Sequence, residues 1–233
     1  VWAGTEAGLW QWTGERFHRV ELPQRSGDYA VRGLAEDRQG RWVASVFGDG
    51  LWRRDVDGRW QRLTRPGDAA STEIWGLDID SQDTIWAATD SGLARWKQDS
   101  WQFFGTWHGD LPRLARSVVC DNEAGLWIAS QFGVVRVDRG SLDAAKQPGQ
   151  AVLGSDWFDR SDGLPSVSCS DEQGALHLAG EGRIWVGTLK GAAVVDPRQW
   201  LASRRLARAP SVAITEVVVN DQSARLSISR TGS

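Results

Sequence analysis

The sequence predicts an all-β protein, a β-propeller of four-stranded antiparallel blades, from three observations. A Trp in an apolar run returns at positions 2, 42, 86, 127 and 185, with spacings of 40, 44, 41 and 58 residues. A Gly stands six residues after the Trp in four of these copies (Gly8, Gly92, Gly133, Gly191), while Gly48 and Gly50 share that place in the second. The segments between are short, β-rich and separated by turn residues. A period near 40 residues built from short strands is that of a propeller blade.

Each element follows in order. Short apolar strands precede the tryptophans: AVRGLAED before Trp42, IWGLDID before Trp86 and RSVVCD before Trp127. A tight turn comes next, as in Asp37-Arg38-Gln39-Gly40, where Asp opens the turn and Gly accepts a left-handed backbone. Asp83 replaces that Gly in the third copy, a substitution the conformation tolerates. In the Trp strand, period 2 places each ring beside a small residue: Trp42 with Ala44, Trp86 with Ala88, Trp127 with Ala129. Trp42, Trp86 and Trp127 are therefore expected in the core between blades. A third strand follows (LWRRD, LARWK, VVRVD), then a weaker fourth marked by aromatics at Trp60, Trp101 and Asp156-Trp157. The first repeat lacks its innermost strand. Residues 139–156 read as an insertion with one helical turn capped by Ser141. After Asp196-Pro197 the pattern changes to a basic linker, then to SVAITEVVVND and ARLSIS, the opening strands of a sandwich. The expected domains are thus blades over 1–198, a linker over 199–209 and an incomplete sandwich over 210–233.

Composition narrows the possible functions. Basic and acidic residues number 27 and 30 in 233, with no long run of one sign, which speaks against nucleic acid or an anionic membrane as partner. No stretch of about 18 apolar residues is present. The chain opens inside a strand, VWAGT, and is read as a piece of a longer or processed protein. Cys120 and Cys169 have no metal-ligand spacing, and the repeat puts them on opposite faces of the ring, too far apart for a disulfide.

The unit Asp-x-x-Gly-x-Trp, then Ser or Thr, then Gly-Leu, resembles the two-component regulator propeller repeat. DRQGRWVASVFGDGL (37–51) carries it with one extra loop pair. IWVGTLKGAAVVDP (184–197) is similar to that family's last blade, and DGLPSVSCSDEQGAL (162–176) to the approach to it. PSVAITEVVVND resembles the start of the triple-tyrosine domain, an immunoglobulin-like sandwich. The resemblance implies the sensor region of a bacterial hybrid histidine kinase or diguanylate cyclase. That region would be periplasmic, anchored in the membrane outside this chain, homodimeric in the full-length protein, and without enzyme activity or cofactor of its own. Members of that family carry more repeats than five, so these five imply part of a larger ring.

The Asp-x-x-Gly-x-Trp order differs from the Ser-x-Asp-x-Gly-x-x-Trp of sialidases, and Tyr29 is the single Tyr. Most Asp residues, such as Asp37, Asp80 and Asp121, sit where turns need them. His18, His108 and His177 form no metal-spaced pair, so neither a metal site nor a catalytic residue is expected. A propeller enzyme acting on polysaccharide or a lactone, like the streptogramin lyases, is the rival reading, with an interaction scaffold as a third. Loops leading into the inner strand and loops joining the second and third strands share one face of a propeller. That face would hold Tyr29, Phe47, Asp49, Asp90, Trp107, Arg113, Gln131, Phe132 and Lys190. The inner strands add Arg32, Trp75, Arg116 and His177. Rings and charges on a concave rim suit an unknown small-molecule or glycan ligand, the rings stacking and the charges orienting.

Overall fold

In the computed structural model, five antiparallel sheets stand side by side around a central cavity as propeller blades. The structure describes residues 1–64, 74–105, 111–145, 154–170, 174–206, 217–219 and 222–224. Blade 1 contains β1 (Trp2–Thr5), β2 (Gly8–Trp12) and β3 (Phe17–Val20). Blade 2 contains β4 (Val31–Glu36), β5 (Trp42–Val46), β6 (Gly50–Arg54) and β7 (Trp60–Arg62). Blade 3 contains β8 (Ile74–Ile79), β9 (Ile85–Thr89), β10 (Gly92–Lys97) and β11 (Ser100–Phe104). Blade 4 contains β12 (Ala115–Cys120), β13 (Gly125–Ser130), β14 (Gly133–Asp138) and β15 (Ser155–Phe158). Blade 5 contains β16 (Leu176–Leu178), β17 (Ile184–Thr188) and β18 (Gly191–Val195). Sequential strands are neighbours within each blade.

Two short turns repeat and explain the motif. The hydroxyls of Thr5, Thr89, Ser130 and Thr188 each donate to the carbonyl of the Gly three residues on, at 2.7–3.1 Å. Those glycines share φ of 124–132°, a backbone conformation open to Gly and strained for other residues. A Cβ on Gly92 would also sit 2.5 Å from the Phe104 carbonyl oxygen. The other turn opens with Asp in blades 2, 3 and 4 and with Ala179 in blade 5. Three residues later the backbone is left-handed in every copy: Gly40 (φ 76°), Asp83 (58°), Ala124 (61°) and Gly182 (85°). In blade 4 the left-handed position is thus Ala124, and Gly125 serves a different end: a Cβ there would lie 2.4 Å from Asp121 Oδ2 and 2.5 Å from Arg136 Nη2.

The Asp does more than turn the chain. Asp80 accepts the amides of Gln82 and Thr84 and also the indole N–H of Trp86, at 3.0 Å. Asp121 accepts the amides of Glu123 and Gly125 and the indole N–H of Trp127, at 2.8 Å. A spacing of six from Asp to Trp lets one carboxylate close the turn and anchor the ring. Trp86 and Trp127 are fully buried, each against the blade that follows. Such a ring removes roughly 150–250 Å² from water, worth several kcal/mol at about 25 cal/mol per Å².

Trp42 departs from this register. It lies five residues after Asp37, so Val43 occupies the position that Trp86 and Trp127 hold. One residue of offset reverses the face. Trp42 therefore points back to blade 1, where it is half-buried with its ring 5.8 Å from that of Trp2, and Val43 packs toward blade 3. Asp37 receives Arg41 Nε, at 2.7 Å, in place of an indole. A small cavity of about 110 Å³ remains at this junction, lined by Val43, Arg41, Ile85 and Trp96 among others. In blade 5 Ala179 stands at the Asp position, and Trp185 is 44% exposed.

The expected helical turn forms as α1 (Arg139–Ala144), but Asp138 caps it, its carboxylate accepting the Ser141 amide. Asp and Ser are equally good caps, and Asp138 is the one placed just outside the first turn. Cys120 and Cys169 are both buried, in the cores on opposite sides of blade 4, and both are free.

The chain divides into two compact units, Val1–Pro197 and Arg198–Ser233. The segment read as a linker carries a helix, α2, spanning Pro197–Leu206. Pro at the first helical position loses no hydrogen bond, and Gln, Leu, Ala and Arg after it are strong helix formers. Beyond it β19 (Val217–Val219) and β20 (Gln222–Ala224) make a hairpin. No helix among the described residues is long and apolar enough to cross a membrane.

Candidate functional site

The site begins with a repeated irregularity. The innermost strands of blades 2, 3 and 4 each shift register at the same place, between Val31 and Gly33, Ile74 and Gly76, and Ala115 and Ser117. The extra residues are Arg32, Trp75 and Arg116. A bulge re-aims the side chain it carries, and here it turns three long side chains onto one face at the top of the inner strands.

They form a ladder. The Trp75 ring has the Arg116 guanidinium 4.0 Å from its centroid and the Arg32 guanidinium at 5.4 Å. Arg32 also lies 5.4 Å from the Phe47 ring, which meets Trp75 at 5.5 Å. Asp90 Oδ1 accepts both Trp75 Nε1 and Arg116 Nη1, each at 2.7 Å. Glu6 closes the far end, Oε1 and Oε2 receiving Arg32 Nη1 at 2.6 Å and Nη2 at 3.2 Å. The rule behind these contacts is that the loop joining second and third strands touches the bulged residue of the next blade. Glu6 meets Arg32, Phe47 meets Trp75 and Asp90 meets Arg116.

Below the ladder is the central cavity, about 530 Å³, lined by the inner strands of blades 2–5 and by Gly4 of blade 1. Around it glycines let neighbouring inner strands approach closely: a Cβ on Gly33 would press within 3.0 Å of Leu77 in the next blade, and one on Gly76 within 2.9 Å of the Arg116 carbonyl. Arg32, Asp78 and His177 give it polar lining. The Asp78 carboxyl is raised above its ordinary value by burial, although the Cys120 and Ile79 amides donate to it.

Five of the expected site residues, Arg32, Phe47, Trp75, Asp90 and Arg116, thus meet in one cluster. Arg113 is exposed on the loop beside it, which the Leu114 amide ties to the Asp90 carbonyl. The expected role of Trp75 changes: one face of its ring is taken by Arg116, so the ring orients arginines rather than offering an open platform. Asp49 joins a separate cluster, accepting Arg25 Nε at 2.8 Å, Arg62 Nη2 at 2.9 Å and Trp52 Nε1 at 2.9 Å. Tyr29 is not displayed on the face as expected. It is buried, its hydroxyl donating to the Val20 carbonyl at 2.7 Å, and burial raises that hydroxyl above its ordinary range. The Arg19 and Arg25 guanidinium groups lie over its ring, each 5.7 Å from the centroid, and the ring packs in the core with Leu9, Leu22 and Val31. Gln131, Phe132 and Lys190 are exposed on loops of blades 4 and 5, apart from the ladder, and His177 borders the cavity. Trp107 lies outside the described residues. Glu6 was missed. The signal for it was available, because Thr5-Glu6-Ala7-Gly8 aligns with Thr89-Asp90-Ser91-Gly92.

The fold defines a β-propeller, and no protein-family model or curated protein matches the sequence. Solved structures share the fold. The extracellular domain of a hybrid two-component system from B. thetaiotaomicron matches 97% of this chain at a TM-score of 0.69 and 20% identity, over 31% of its own length. The extracellular domain of a one-component system from the same organism matches 94% at 0.54 and 17%, over 38% of its length. A streptogramin B lyase matches 79% at 0.53 and 13%, over 56% of its length. The chain spans about a third of the length of the two extracellular domains.

Proposed function

We propose that this chain is part of the extracytoplasmic sensing region of a membrane-bound bacterial signalling protein, and that its ladder face meets the ligand. The carrying observation is the ladder. Three successive blades spend a bulge, a costly departure from regular pairing, on aiming Arg32, Trp75 and Arg116 to one rim. Packing does not demand this, because the cluster is half-exposed above a cavity. The likeness in fold to extracellular domains of two-component and one-component systems supports the sensing role. The motif resemblance supports it from the other side, and adds the periplasmic location, the following sandwich and the homodimer.

Binding rather than catalysis suits the chemistry of this face. Each carboxylate in it is engaged by an arginine, Asp90 by Arg116 and Glu6 by Arg32, and neither is poised as a free acid or base. A ligand held across the rim would touch residues from several blades at once and change how they sit together. The test is a reporter of the full-length protein's output in cells. Trp75→Ala, which unseats both arginines, should abolish the response to inducer at unchanged protein level. An undiminished response would sink the assignment of this face.

A further inference from the structure

We infer that the ladder face takes a carboxylate-bearing ligand, whose carboxylate replaces Glu6 on the Arg32 fork; this rests on the ladder being the ligand face. Three observations carry it. A carboxylate already occupies the fork: Glu6 engages Nη1 and Nη2 of Arg32 with its two oxygens, at 2.6 and 3.2 Å. That two-point geometry is the strong mode of carboxylate recognition by arginine. Second, the resident is weakly held. The Glu6 side chain is 72% exposed while that of Arg32 is 23% exposed, and exposed pairs contribute about 0–1 kcal/mol. A ligand carboxylate that also gains contacts with Phe47 or Arg116 displaces it at little cost. Third, the present pairing is incomplete, since Arg32 Nε is buried without an acceptor.

The rest of the ladder prepares Arg32 for this exchange. Phe47 and Trp75 flank its guanidinium at 5.4 Å each, which favours the charged, planar head through the ring quadrupoles. On the other side of Trp75, Asp90 holds Arg116 through a single nitrogen, Nη1, which leaves a second cation on the rim. With Glu6 displaced, the cluster of Arg32, Arg116 and Asp90 carries one net positive charge. The ligand supplies the missing negative one.

The experiment titrates the protein with acetate, glucuronate and, as the neutral control, glucose, following the arginine Nε–H signals by NMR. Acetate reports the carboxylate alone, and glucuronate adds a polar ring. The Arg32 signal should shift saturably with glucuronate and stay still with glucose. Glu6→Gln should tighten binding by about two- to fivefold, the worth of one exposed ion pair. Arg32→Gln should abolish it, and Arg32→Lys, which keeps charge but loses the fork, should weaken it. Circular dichroism establishes that each variant is folded. Saturation that survives Arg32→Gln, indifference to Glu6→Gln, or no saturable shift with either carboxylate at tens of millimolar overturns the inference. If a neutral glycan shifts the ladder signals where carboxylates do not, this inference falls and the ladder remains the ligand face. An inducer of the full-length protein that leaves every ladder signal unmoved removes the face itself.

Discussion

Two clusters in this molecule have the same composition and opposite fates. Asp121 accepts Trp127 Nε1 and Arg136 Nε at 2.8 and 3.1 Å; Asp90 accepts Trp75 Nε1 and Arg116 Nη1 at 2.7 Å each. Both are an Asp holding an indole and a guanidinium. The first has arginine and aspartate side chains 5% and 0% exposed, the second 18% and 29%. In the first, every group depends on the others, because water cannot replace a lost partner. In the second, water can, so the same atoms are free to trade partners with a ligand. Burial, not residue type, separates a strut from a site.

The largest effect that tests this contrast is on stability. Asp121→Ala should cost about 3–5 kcal/mol in urea unfolding, since it strands a buried Arg136 and the Trp127 indole. Asp90→Ala should cost less, about 1–2 kcal/mol, because the pair is only partly buried and water reaches it. Equal losses would break the comparison. Gly125→Ala sharpens it from the backbone side. A methyl there collides with both members of the buried pair and should cost about 1–3 kcal/mol, and a neutral outcome would show that the pair can move aside.

A third test uses acid. Burial alone would raise the Asp80 carboxyl, but the Trp86 indole, the Gln82 and Thr84 amides and Arg139 more than offset it and hold it below its ordinary value. A depressed folded pKa contributes stability that is present above the unfolded value, near pH 4, and lost as pH falls through the folded one. Asp80→Asn should therefore flatten the loss of stability below about pH 4. Asp78, two residues away and raised by burial, has the opposite sign and a different window: the folded state gains as pH falls through the raised value toward the unfolded one, so Asp78→Asn should remove that gain above about pH 4 and leave the loss below it unchanged. Parallel curves for the two variants would refute the signs. The smallest effect is at the turn. Ala124→Gly should gain about 0.5–1 kcal/mol by relieving the left-handed backbone, measured as a shift of the urea midpoint at unchanged slope.

Much of the architecture was legible because it is local. Strand alternation, the Asp-opened turn and the Ser/Thr–Gly turn each depend on residues within six positions, and all recur. Matching the loops to the inner strands puts Arg32, Phe47, Trp75, Asp90 and Arg116 on one face, within a set of thirteen that also holds Tyr29, Asp49, Gln131, Phe132 and Lys190, which lie elsewhere. The direction of Trp42 is set by its distance from Asp37, five residues rather than six, which the Trp repeat alone does not show. Glu6 stands outside the expected site residues although Thr5-Glu6-Ala7-Gly8 repeats Thr89-Asp90-Ser91-Gly92, and each acid pairs with an arginine 26 residues on.

By itself, then, the sequence determined the repeat, the strand order and the face on which loops and inner strands converge, since each is set by short-range spacing. Only the tertiary structure decided which Asp–Trp–Arg cluster is dry and which is wet. It also decided that Tyr29 turns inward and that Trp75 is already covered by an arginine. The reason is that solvation belongs to no residue. It is set when one blade is laid against the next, and that contact alone fixes which partners water can replace.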